Sequence, residues 1–183
     1  GPKKIKENSR NGNSYNLQPT KFKVITNSRE IKELNVVSSG DFIIASPINI
    51  GKLEINMAGS GNILLEKKVE GNKLEINLAS SGSVVASNID LAGIECSLAG
   101  SGYIQIAGKA DRAEYNLAAS GNIKAYECVT GKTECNIAGS GNIQTHTRNQ
   151  LEANIVGSGN VYYKGNPTTS KSIIGSGKLK SVN

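Results

Sequence analysis

Tyrosine is the main aromatic residue of this 183-residue chain, which has 6 Tyr, 2 Phe and no Trp. A tyrosine ring at the surface combines a large apolar face with a polar hydroxyl, a combination suited to stacking on sugars. The candidates for such a surface are Tyr103, Tyr126, Tyr162 and Tyr163. Since Tyr162 and Tyr163 are adjacent, only one of them can face the core of a strand structure. A packing role at an edge is the alternative for each ring.

The residue types that usually perform catalysis are scarce. A glycoside hydrolase needs two carboxyl groups at one cleft, whereas Asp41, Asp90 and Asp111 are widely separated along the chain. His146 is the single histidine and is interpreted as a surface-loop residue rather than a general base. The recurring Gly-Ser-Gly lacks the Lys-Ser/Thr of a phosphate-binding loop. We therefore expect no catalytic residues, no enzyme activity and no cofactor.

Cysteine spacing excludes the common small metal and disulfide folds. The three cysteines form no C-x-x-C pair, and zinc ribbons and fingers need such pairs or several histidines. The aspartate-rich spacings of calcium loops are absent from the sequence as well. We expect no metal site.

Composition and charge narrow the classes of protein further. The chain is 37% hydrophobic but only 4% aromatic, so its core must be aliphatic, and no apolar run is long enough for a transmembrane helix. The net charge of +6 lies entirely in residues 1–32. A nucleic-acid-binding protein more often carries a basic stripe on its folded face, so no nucleic-acid partner is expected. The basic segment is either a solubilising leader or a contact with an anionic surface.

Ser-Gly pairs recur along the whole chain at intervals of 18–21 residues. Their glycines are Gly40, Gly61, Gly82, Gly102, Gly121, Gly141, Gly159 and Gly177. Within each repeat apolar and polar residues alternate, as in residues 74–78, and this period of two indicates a half-buried strand. The small, Gly-rich stretch that follows is typical of a corner. Since one repeat cannot bury its apolar side alone, the sequence predicts stacked repeats.

The predicted fold is all-β: a single-domain parallel β-helix, or β-solenoid, of about eight coils of 18–21 residues. Its repeat domain spans residues 22–183, after a basic, polar, flexible or truncated segment at residues 1–21. A β-sandwich would also place turns at short intervals, but it gives no reason for the same residue at the same place in each repeat.

Two polar columns emerge when the repeats are aligned on the corner glycine. Five positions before it lies an asparagine that we expect to form a hydrogen-bonded ladder along the axis: Asn35, Asn56, Asn77, Asn116, Asn136 and Asn154. Seven positions before it lies a column of glutamates, which should repel one another. Diagonal pairing with lysines two residues earlier, such as Lys52 and Lys73, would relieve this repulsion; a bound cation is the alternative.

Two of the cysteines share an inward column. Cys96 and Cys135 both lie six positions before the corner glycine, with Tyr115 in the coil between them. Two coils are too far apart for a disulfide, so we expect buried thiols. Cys128 lies outside this column and is the one cysteine expected to be accessible.

The repeat L-E-I-N-x-A-G-S-G-N-I resembles the putative auto-transporter adhesin, head GIN domain family. The stretch G-S-G-N-V-Y-Y-K-G-N-P at residues 157–167 and the final I-G-S-G-K-L-K are similar to the family's ending. The resemblance covers residues 22–181. It implies a parallel β-helical domain in exported bacterial proteins of the periplasm, the outer membrane or the cell surface, and it supplies no catalytic residues.

Three functions follow as hypotheses. The first is a non-enzymatic envelope or surface module with adhesin-like binding of a glycan or a surface protein. The second is a self-associating structural solenoid, and the third a β-helical carbohydrate enzyme, which the shortage of aspartate disfavours. Lysines 171, 178 and 180 in the last coil oppose edge-to-edge pairing, so we expect a monomer or a weak dimer.

Overall fold

A computed structural model describes residues 14–17, 31–37 and 39–182. These residues form strands and connecting turns without any helix. The strands are β1 (Ser14–Leu17), β2 (Glu33–Val37), β3 (Phe42–Ile44), β4 (Ile48–Ala58), β5 (Asn62–Leu65), β6 (Val69–Leu78), β7 (Ser83–Leu98), β8 (Tyr103–Ala119), β9 (Asn122–Gly139), β10 (Asn142–Gly157), β11 (Asn160–Lys164), β12 (Thr168–Gly175) and β13 (Lys178–Ser181).

The strands wind into a parallel β-solenoid of about seven turns, which confirms the predicted fold. The main path of hydrogen-bonded neighbours runs β1-β2-β4-β6-β7-β8-β9-β10-β11-β13, and the strands pair in parallel throughout the described residues. The register places like on like: Glu54 pairs with Glu75 and Asn56 with Asn77. Each sequence repeat is therefore one coil, and each aligned column becomes a row along the rod.

The sheet begins earlier than the boundary drawn at residue 21. β1 pairs with β2 in the common register, with Asn16 opposite Asn35 and Leu17 opposite Val36. The Ser-Tyr-Asn-Leu of β1 matches the alternation of the later coils, although no Ser-Gly corner follows it at the usual place. The rest of the predicted segment 1–21 lies outside the described residues.

An aliphatic core fills the inside of the coils. In β4 the buried residues Leu53, Ile55 and Met57 alternate with outward-facing Glu54 and Asn56. The same alternation recurs in later coils, so like side chains stack on like at the inter-strand spacing of about 4.8 Å. Burial of this continuous core is the main term that stabilises the solenoid.

The Ser-Gly corner is built around close contact between backbones. A Cβ placed on Gly141 would lie 2.1 Å from the carbonyl oxygen of Gly121 in the preceding coil. Ala119 lies two residues before the corner glycine Gly121, and its carbonyl points along the axis. Its oxygen accepts hydrogen bonds from the amides of Ser140 and Gly141 in the next coil, each at 3.1 Å. Ala119 has φ of 142°, a conformation that favours glycine. The corner thus explains the repeated glycine.

Four threonines form a buried polar chain inside the later coils. Thr130 donates to the carbonyl oxygen of His146 at 3.0 Å, so the 2.6 Å contact between Thr130 and Thr133 must be donated by Thr133. Thr147 then donates to Thr133, and Thr145 donates to Thr147. Every hydroxyl proton in this chain has an acceptor, which makes a polar interior tolerable.

Candidate functional site

The outward side of the strands that follow the corners carries three tyrosines, of which Tyr103 is exposed and Tyr126 and Tyr162 are half-buried. In β9 the buried residues Ile123 and Ala125 alternate with exposed Lys124 and half-buried Tyr126. Tyr103 occupies the first outward position of β8 and is 36% exposed. Because the strands stay in register from the corner to Lys124 and Ala125, and Tyr126 takes the next outward position, these side chains lie on one face of the rod.

Each of the three outward rings has a lysine ammonium above it. The Nζ atoms of Lys124, Lys164 and Lys180 lie 4.6, 4.9 and 5.7 Å from the ring centroids of Tyr103, Tyr126 and Tyr162, respectively. These distances fall within the range of cation–π attraction. Since each lysine comes from a later coil than its tyrosine, the pairs also tie successive coils together.

We call this surface the tyrosine face and define it by its three ring–lysine pairs: Tyr103, Lys124, Tyr126, Tyr162, Lys164 and Lys180. Strand register fixes its layout, since Lys124, Gln144, Tyr162 and Lys180 follow one another along one row. Three inter-strand steps separate Lys124 from Lys180, a span of about 14 Å. The face is long enough to contact several units of a polymer.

Tyr126 and Tyr162 are close enough to influence each other. Partial burial raises the pKa of Tyr126 above its ordinary value, and the neighbouring Tyr162 hydroxyl adds to this effect. The Tyr126 phenol is therefore neutral at physiological pH and can donate a hydrogen bond. Lys164 also lies 3.6 Å from the exposed carboxylate of Glu127, which borders the face.

Tyr163 takes a different position from the other three predicted tyrosines. It aligns with Thr145 of β10, in a row that faces inward, and packs against the core. The alternation along β11 therefore sends Tyr162 outward and Tyr163 inward. Of the four rings singled out from the sequence, three lie on the tyrosine face and one, Tyr163, is partly buried against the core.

A second outward surface lies on the strand before each corner, and it carries the glutamate column. Lys52 Nζ contacts Glu75 of the next coil at 3.0 Å, and Lys73 contacts Glu95 at 2.7 Å. The diagonal pairing predicted from the sequence is confirmed at these two lysines. The hydrogen bond from Lys52 holds the pKa of Glu75 below its ordinary value. These two lysines and their glutamates thus satisfy each other's charge within the chain.

The stacked asparagines on this surface use their amide groups in two directions. Asn56 donates to the Oδ1 atom of Asn35 at 3.0 Å and to Glu54 in its own strand at 2.9 Å. Asn136 and Asn154 continue the pattern, but Ser97 interrupts the row between Asn77 and Asn116. Each asparagine of the row therefore donates a hydrogen bond to a glutamate of its own strand, and wherever two asparagines are adjacent along the axis they also hydrogen-bond to each other.

A second row of polar contacts escaped the sequence reasoning. It lies one position after the corner glycine, where Asn62 donates to Asp41 at 2.8 Å and Asn160 donates to Asn142 at 3.1 Å. The signal was present, since asparagine recurs at this position in four repeats. Tyr103 interrupts this second row, just as Ser97 interrupts the row of asparagines five positions before the corner glycine.

A shallow apolar groove of about 440 Å³ runs along the corner beside the asparagine row. Its floor is the exposed column three positions before the corner glycine, namely Ala79, Ala99, Ala118 and Ala138, with Val156 at one end. Val156 is 54% exposed. The groove is open to solvent and lined by methyl groups.

All three cysteines are buried, which corrects one expectation. Cys96, Tyr115 and Cys135 stack in one inward row as predicted. Cys128, expected to be accessible, is also buried, since a register irregularity in β9 turns it toward the interior. Burial raises the pKa of Cys128 to about 12 and raises the pKa of Cys96 and Cys135 above their ordinary values. The three buried thiols fill the core as small apolar side chains.

The described residues contain no group of three or more His, Cys, Asp and Glu side chains arranged to hold a metal ion. His146 is half-buried on the outward side of β10, opposite Lys164 of β11. Within the same part of the chain no helix has the length and apolarity needed to cross a membrane.

A repeated parallel coil with this corner defines a β-solenoid repeat protein. The chain belongs to the family described as putative auto-transporter adhesin, head GIN domain, whose profile matches residues 4–70 and 63–167. The resemblance drawn from the repeat is thereby confirmed. Membership of this family favours a cell-surface or exported location, and it favours a role other than catalysis.

Three solved structures are similar to this chain. A putative lipid binding protein of Parabacteroides distasonis ATCC 8503 is 53% identical with a TM-score of 0.82; the match covers 83% of this chain and 62% of that one. A putative adhesin of Parabacteroides merdae ATCC 43184 is 34% identical with a TM-score of 0.79, covering 83% and 64%. A putative adhesin of Parabacteroides distasonis ATCC 8503 is 30% identical with a TM-score of 0.81, covering 82% and 64%.

This chain therefore spans less than two thirds of the length of these solved relatives. None of the curated proteins matches it.

Proposed function

We propose that this chain is a non-enzymatic module of the bacterial periplasm, outer membrane or cell surface that binds a glycan or a protein partner in an adhesin-like manner. Family membership and two relatives described as putative adhesins support this role. The observation that carries it is the tyrosine face, which presents three outward rings on one side of a rigid rod. Exposed aromatic rings are the residue type that binding surfaces favour.

The rigidity of the scaffold favours binding without induced fit. Backbone hydrogen bonds join each coil to the next, and Lys124 contacts the ring of Tyr103 in the preceding coil. A preorganised surface loses less conformational entropy when it binds, so weak individual contacts can add up to useful affinity.

The test is the binding of the purified chain to arrays of bacterial and host glycans and of extracellular matrix proteins. We expect reproducible binding to at least one class. Binding to no member of either array would contradict the proposal. Cell fractionation with antibodies against the chain tests its location: we expect the periplasmic or envelope fractions, and recovery with cytoplasmic markers alone would contradict an exported module.

The apolar groove supports a second candidate function, the binding of a lipid acyl chain. One relative at 53% identity is described as a putative lipid binding protein. The groove offers a continuous row of methyl groups that a hydrocarbon chain could cover, with apolar contact as the driving force.

A fluorescent fatty acid and the Ala118→Glu variant test this candidate. A charge on the groove floor should abolish binding, whereas Gln150→Glu, the same charge placed on the exposed part of β10 outside the groove, should not. Equal binding by both variants would exclude the groove as the lipid site.

A further inference from the structure

We infer that the tyrosine face binds an anionic glycan, whose sugar units carry carboxylate, sulfate or phosphate groups. This inference rests on the proposed binding function and specifies its ligand class. It follows from the placement of the three lysines rather than from the rings alone.

In the described part of the chain, two lysines of the glutamate surface have carboxylate partners that two lysines of the tyrosine face lack. On the glutamate surface, Lys52 and Lys73 are paired with carboxylates at 3.0 and 2.7 Å. On the tyrosine face, Lys124 and Lys180 contact a ring and, among the described residues, no carboxylate. Their positive charge is therefore available to a ligand. Only Lys164 has an acidic neighbour, and Glu127 is itself largely exposed.

The position of each ammonium decides which ligand the rings can accept. A sugar that approaches Tyr103 must also contact or displace Lys124, which lies over the ring at 4.6 Å. Removing water from an ammonium group is costly unless an opposite charge replaces it. Both kinds of sugar can place a C–H face on the ring. A neutral sugar offers the ammonium group only hydroxyls, whereas an anionic sugar offers it an opposite charge.

The row arrangement favours a polymer over a single anion. Lys124 and Lys180 lie in the same row with Gln144 and Tyr162 between them, about 14 Å apart. A chain of sugar units along the rod would place successive anions near successive lysines. Linked contacts of this kind raise affinity through their effective concentration.

Polygalacturonate and its fully methyl-esterified form test the inference, because they share a backbone and differ in charge. We expect the chain to bind polygalacturonate, with affinity that falls as salt screens the lysines. The methyl ester should bind about tenfold less tightly or not at all, since it lacks the anion. The double variant Lys124→Gln/Lys180→Gln should lose about fivefold in affinity for polygalacturonate.

The matched control is Lys52→Gln/Lys73→Gln, which removes the same charge from the glutamate surface and should bind within about twofold of the unaltered chain. Equal binding of both polymers, or equal loss in both double variants, would overturn the inference while leaving the proposed binding function intact. Equally tight binding of poly-glutamate would overturn the choice of a glycan. No binding of polygalacturonate would overturn the inference as well, and the proposed function fails with it if the glycan and protein arrays are also blank.

Discussion

Asn136 donates a hydrogen bond from its Nδ2 atom to the Oδ1 atom of Asn116, 2.9 Å away in the preceding coil. The same amide group lies 3.1 Å from the carboxylate of Glu134 in its own strand. One side chain therefore links two coils along the axis and offsets one member of the glutamate column. This double use explains why asparagine and glutamate recur together two residues apart.

Completion of the asparagine row should stabilise the solenoid. Ser97 lies between Asn77 and Asn116 in register, and the row of side-chain hydrogen bonds is interrupted there. Ser97→Asn should add contacts to the coils on both sides and raise the free energy of unfolding by about 1 kcal/mol. Urea denaturation measures the change. Ser97→Ala is the control and should be neutral or slightly destabilising; an unchanged midpoint for Ser97→Asn would argue against an energetic role for the row.

Asparagines with different numbers of contacts should differ in importance. Asn136 makes ladder bonds to both Asn116 and Asn154, whereas Asn154 makes one, to Asn136. Asn136→Ala should therefore cost about 2 kcal/mol and Asn154→Ala about 1 kcal/mol. Thermal or urea unfolding compares the two variants. Equal losses would mean that the axial hydrogen bonds contribute little beyond the bond to glutamate.

Relief of backbone strain at one corner should also stabilise the chain. Ala119 has φ of 142°, where the equivalent Gly139 and Gly157 have φ of 143° and 126°. Ala119→Gly keeps the carbonyl that accepts from Ser140 and Gly141 and removes the steric cost of the Cβ. We expect a gain of about 1 kcal/mol after the entropic cost of glycine is included. Ala118→Gly, its neighbour without positive φ, is the control and should destabilise; the same loss at both positions would contradict strain at Ala119.

Stability should fall at alkaline pH because the buried thiols resist ionisation. Burial raises the pKa of Cys128 from its ordinary value of 9.0 to about 12. A raised pKa in the folded state means that this contribution is fully present below about pH 9 and is lost as the pH rises toward 12. Between pH 9 and pH 10, one such thiol lowers the free energy of unfolding by about 1 kcal/mol.

The measurement is urea denaturation under reducing conditions at both pH values. Cys128→Ala loses packing to the same extent at both pH values, but it lacks the thiol that ionises on unfolding. From pH 9 to pH 10 its free energy of unfolding should therefore fall by about 1 kcal/mol less than that of the unaltered chain. The same pH dependence in both proteins would show that Cys128 is not buried in the folded state.

The fold was predictable because one pattern occurs eight times. Alternation within residues 74–78 indicates a strand, and near-constant spacing of the corner glycine requires that equivalent residues stack. The same logic placed Cys96 and Cys135 in one inward row with Tyr115. Repetition thus supplied long-range information that a single sequence usually lacks.

The candidate site was predictable only in part. Strand alternation allowed just one of Tyr162 and Tyr163 to face inward, but it could not decide which. The pairing of Tyr126 with Lys164 spans two coils and depends on a register shift between Thr145 and His146. Cys128 lies in the part of the repeat whose length varies, so the alignment of the repeats does not predict whether its side chain faces inward or outward. The buried threonine chain was missed because inward positions were assumed to be apolar.

The binding role of the tyrosine face is the central claim, and substitution of its three rings tests it most directly. The affinity of the unaltered chain for its strongest array ligand should be compared with that of Tyr103→Leu/Tyr126→Leu/Tyr162→Leu, which keeps apolar bulk but removes the rings. Asn56→Ala/Asn77→Ala, on the other outward surface, serves as the control after circular dichroism has shown that both variants fold. We expect at least about tenfold weaker binding by the tyrosine variant and unchanged binding by the control. Equal affinity of the tyrosine variant and the unaltered chain would contradict the account.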